Sequence, residues 1–221
     1  MSITLHLAIG YVFTISLAAA LVTSARGHEQ FCTTVPNDRE ASPRRLCRLH
    51  YRSSSNAFLL ADEIPFEVGA IMMCSSATAF DALNKARLQS GESVAIFGVG
   101  GLGFSALQLA RAFGAGAIYV AEITSPNWSR SRLLELCRLM QLPADPVEQI
   151  REGTGGKGVD VSIELVGSAV TMSQAVRFVG ILARAAIIAL TRESMSILPY
   201  PELINKEAEV IGAALQAAHC P

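Results

Sequence analysis

The chain has 221 residues and little charge of either sign: 17% of them are charged, and the net charge is −1. With no broad basic field and no acidic block, nothing draws the chain to nucleic acid, and no solvating tail is present. Aromatic side chains are scarce, at 6%. Lysine is nearly absent: three residues against fifteen arginines. Five cysteines, an odd number, do not make a disulfide framework and point to a reducing, cytoplasmic setting. No internal repeat is visible. What the chain has in quantity is apolar side chains, 51% of the total, which excludes a disordered protein. Its length suits one domain or one and a half.

Residues 3–23 are apolar apart from His6 and hydroxyl groups, and are long enough to cross a bilayer as a helix. Gly10 to Ile15 suits a buried strand better, and no positive start marks a signal peptide. Residues 35–55 hold five arginines, no lysine and no period of 2 or 3.6, and read as a basic loop rather than a nucleic-acid site. Order begins near Leu60. Phe66 to Leu83 reads as two short helical stretches with the Cys74-Ser75-Ser76 turn between them. Ser93 to Phe97 is apolar, too brief for a helix and followed at once by glycines, as buried parallel strands are. A helix over 102–113 follows, then strands at 117–123, 159–166, 185–190 and 209–211. The rhythm predicts an α/β fold, a Rossmann-like doubly wound parallel sheet.

The strongest chemical signal is Gly98-Val99-Gly100-Gly101-Leu102-Gly103, which fits G-x-G-x-x-G between a strand and a helix. Gly98 permits a tight turn, Gly100 lets the backbone approach a pyrophosphate, and Gly103 lets the helix pack closely on the strand. The pyrophosphate then meets backbone amides at the positive end of the helix. Glu122, nineteen residues after Gly103, stands where an acid accepts hydrogen bonds from the ribose hydroxyls. A carboxylate there repels a 2′-phosphate and favours NAD over NADP. Methyltransferases that bind S-adenosylmethionine share such glycines and such an acid, so the fingerprint alone leaves the class open.

Residues 61–214 resemble the cofactor domain of the zinc-type, medium-chain alcohol dehydrogenases. The resemblance rests on Ala61 to Ala70, on Cys74-Ser75-Ser76-Ala77-Thr78-Ala79-Phe80, and on Gly91 to Phe97 with the glycines after it. It rests further on Thr154-Gly155-Gly156-Lys157-Gly158-Val159-Asp160-Val161 and on Glu164-Leu165-Val166-Gly167. The resemblance implies hydride transfer between NAD(P) and an alcohol or aldehyde, with zinc polarising the oxygen. It also implies a homo-oligomer. By the same likeness Cys74 matches the last catalytic zinc ligand, Thr78 a nicotinamide-side contact, and Cys32 the fourth cysteine of a structural-zinc lobe.

The likeness also has gaps. Only some sixty residues precede Ala61, where the family has a larger GroES-like barrel carrying further zinc ligands. His28 and Glu29 suggest a ligand pair, yet Gln30-Phe31-Cys32 is more similar to the end of the structural lobe, whose three earlier cysteines are missing. Residues 35–55 and 125–144 resemble nothing in the family, and no third strand is legible in the second window. With permissible codons, a shifted frame beginning in the Asn37 codon reads Gly-Gly-Tyr-Ala-Asp-Tyr, similar to the family's approach to this domain. The sequence therefore predicts two frame-shifted windows. It also predicts a remnant of the barrel domain over 1–60 and an NAD(P)-binding domain over 61–221, incomplete at its C-terminus. Two functions follow: an impaired NAD-dependent alcohol dehydrogenase, or a non-catalytic nucleotide-binding remnant of one.

Overall fold

The computed structural model describes residues 60–122, 137–141 and 152–213. Residues Thr78–Ala214 form one compact unit; Met1–Ala77 and Leu215–Pro221 belong to another. The stretches 3–23 and 35–55, and with them His28, Glu29 and Cys32, lie outside the described residues. Among the described residues no helix is long and apolar enough to cross a membrane.

In the first unit, helix α1 (Phe66–Ile71) follows Pro65 and buries Gly69, where a methyl group would meet Leu60 Cδ2 at 2.9 Å. The expected Cys74-Ser75-Ser76 turn is not a turn. Met72–Ser76 winds as one π-helical stretch. Serines often break a helix by bonding to nearby backbone. Here Ser75 Oγ donates to the Ile71 carbonyl at 3.3 Å and so stays within the wider winding. Helix α2 (Ala77–Lys85) comes next in the chain.

The second unit is a six-stranded, wholly parallel sheet. Its strands are β1 (Ser93–Phe97), β2 (Ala117–Glu122), β3 (Cys137–Gln141), β4 (Val159–Glu164), β5 (Val179–Ile187) and β6 (Glu209–Gly212), in the order β3-β2-β1-β4-β5-β6. Helix α3 (Gly101–Ala112) joins β1 to β2, and helix α4 (Ala169–Phe178) joins β4 to β5. Alternation along β1 divides the core between two faces. Val94 and Ile96 pack with Leu83, Ala106, Leu107 and Ala110 of α2 and α3. Ala95 and Phe97 pack with Ala175, Val176 and Phe178 of α4, and the rings of Phe97 and Phe178 lie 5.1 Å apart. Helices on both faces explain why β1 reads as an unbroken apolar run.

Two strands depart from the sequence reading. β3 lies inside the window where no third strand was legible, pairing Ile118–Glu122 with Cys137–Gln141 in register. The edge of β2 offers a row of amides and carbonyls, and backbone pairing does not depend on an apolar side-chain pattern. β5 begins at Val179, six residues earlier than the expected Ala185. Its pairing with β4 passes from Val159↔Val179 to Val161↔Arg184, so two steps on one strand match five on the other. Leu182, at φ 57° and mostly exposed, takes the left-handed turn of this bulge and hides the strand's start from pattern reading.

Candidate functional site

From β1 the chain winds through α3 to β2 on one side, while β4 occupies the other side of β1. The strand order thus reverses between β1 and β4, and the crevice above their C-terminal ends is where open α/β sheets bind ligands. The glycine turn follows β1 at that end, and the turn after β4 lies against it, with Val166 beside Gly98.

Each glycine of the turn has its own physical reason. Gly98 sits at φ 85°, in the left-handed region, and its amide donates to the Ala121 carbonyl at 2.8 Å. A methyl group on Gly103 would lie 1.9 Å from the Gly98 carbonyl oxygen, so helix and strand approach too closely for any side chain. Gly100 and Gly101 are different. Gly100 has an extended backbone that any residue adopts (φ −69°, ψ −164°), and a methyl group on either would meet nothing within 4 Å. Neither folding geometry nor packing calls for glycine at these two positions, which leaves close approach by a ligand. Gly100 caps α3 without a side-chain bond, and no acidic residue occupies the first turn. The amides there remain available to an anion.

The other expected site residues are scattered. Leu102 is half-buried against the core, so its contribution to the turn is its backbone. Thr78 is buried in α2. Glu122 closes β2, one residue beyond the carbonyl that holds Gly98; its backbone alone is described. Cys74 is exposed and lies in the first unit. Among the described residues, no group of three His, Cys, Asp or Glu side chains comes together that could hold a metal ion.

Sequence reasoning did not single out Glu164 as a site residue. It ends β4 beside Phe97 and is wholly buried. Its Oε1 accepts from the amides of Val166 at 3.0 Å and Gly167 at 2.9 Å, and from Thr171 Oγ1 at 2.8 Å. Its Oε2 is buried with no hydrogen-bond partner. The sequence signal was its place in the Glu164-Leu165-Val166-Gly167 motif, which carries the family resemblance but does not distinguish a buried glutamate from a solvated one.

Residues 101–220 match the family described as zinc-binding dehydrogenase. The (R,R)-butanediol dehydrogenase of Bacillus subtilis is 32% identical over 158 residues, covering 70% of this chain and 44% of that protein. Sorbitol dehydrogenase of Macaca fascicularis is 24% identical over 185 residues, covering 82% of this chain and 50% of the relative. The chain thus spans about half the length of the curated relatives it matches. Among solved structures, the 2R,3R-butanediol dehydrogenase from Bacillus subtilis superposes with a TM-score of 0.63 at 29% identity, covering 75% of this chain and 45% of that one. An alcohol dehydrogenase from Thermus sp. ATN1 reaches 0.71 at 23% identity, covering 76% and 50%, a likeness of fold.

Proposed function

Because the chain belongs to the zinc-binding dehydrogenases, we propose that its sheet unit binds NAD and serves hydride transfer between that cofactor and a small alcohol or polyol. The observation that carries this reading is the open space at Gly100 and Gly101. A pyrophosphate laid across these glycines would reach the amides at the start of α3, with the adenosine half towards β2 and the nicotinamide half towards β4. The butanediol and sorbitol dehydrogenases named above support a substrate with neighbouring hydroxyl groups. A reducing, cytoplasmic setting and self-association fit the cysteine usage and the family likeness.

NAD in preference to NADP rests on Glu122 at the end of β2. The test is a fluorescence titration of the purified chain with NADH and NADPH. NADH should bind more tightly; equal or tighter binding of NADPH would overturn the role given to Glu122.

Zinc does not fit the described residues. Cys74 is a single exposed cysteine on a π-helical stretch, and a structural or catalytic site needs three or four protein ligands. That mismatch favours the second reading, a nucleotide-binding chain without turnover of its own. Adding an alcohol and NAD to the purified protein and following NADH absorbance separates the two.

A further inference from the structure

We draw no further inference here: the strongest candidate, the apolar tip of the β5 bulge where Ile181 and Leu182 stand mostly exposed and Leu182 holds a left-handed backbone at φ 57°, carries nothing because nothing in the structure shows what covers it.

Discussion

A side chain at Gly103 and one at Gly100 have opposite consequences, although both residues belong to one motif. At Gly103 the first added carbon would fall 1.9 Å from a backbone oxygen that cannot move without displacing β1, so Gly103→Ala should lower stability by about 1–3 kcal/mol or more. A urea titration of the variant reads this directly, and an unshifted midpoint would contradict the packing. Leu182 presents the reverse case. It holds a left-handed backbone with most of its side chain in water, so the strain is not offset by burial. Leu182→Gly should gain up to about 1 kcal/mol, seen as a higher melting temperature, and a lower one would mean that the side chain packs better than its exposure indicates. Sequence spacing anticipated the tight turn at Gly98 and the close packing at Gly103 because those two roles are backbone geometry, and glycine is the residue that geometry selects. It could not anticipate Glu164, since burial belongs to the assembled sheet.

The elements legible in the sequence were those whose side chains record their surroundings. β1 and β4 lie in the middle of the sheet: β1 is an apolar run buried on both faces, β4 sets Val161 and Ile163 on one face, and α3 carries its apolar stripe against β1. β3 and the first half of β5 were not legible, for different reasons. β3 is held at the sheet edge by backbone pairing with β2, and β5 is interrupted by the Gly180–Leu182 bulge. At the start of α4, Ser168→Ala removes the side-chain cap on the Thr171 amide and should cost about 1 kcal/mol, measurable by thermal melting. β6 is tied at its start by Glu209, whose Oε1 lies 2.5 Å from Arg87 Nη2. The hydrogen bond from Arg87 holds the Glu209 carboxyl below the usual carboxylate range. Whatever the pair contributes is therefore present above the unfolded pKa of about 4.3 and lost as pH falls through the lower folded value. Amide exchange in β6 should accelerate over that acid range in the parent and not in Glu209→Gln.

At the scale of the molecule, the six-stranded order β3-β2-β1-β4-β5-β6 sets the glycine turn after β1 beside the turn after β4 that Glu164 holds. The family is that of zinc-binding dehydrogenases, yet the described residues provide Cys74 as a lone candidate ligand in the other unit. Metal analysis of the purified chain should find zinc well below stoichiometric amounts, and tightly held zinc lost on Cys74→Ser would show that donors outside the described residues complete a site. The proposed frame-shifted windows at 35–55 and 125–144 are tested by the nucleotide sequence of the gene; the second must now accommodate a strand at Cys137–Gln141. The central claim is that the glycine turn exists to admit a dinucleotide. Its most direct test is Gly100→Ala, measured in one preparation for melting temperature and NADH affinity. The backbone there accepts alanine and the space is open, so the melting temperature should hold or rise slightly while NADH affinity falls by about tenfold or more. A variant that melts as the parent does and binds NADH equally well would contradict the claim.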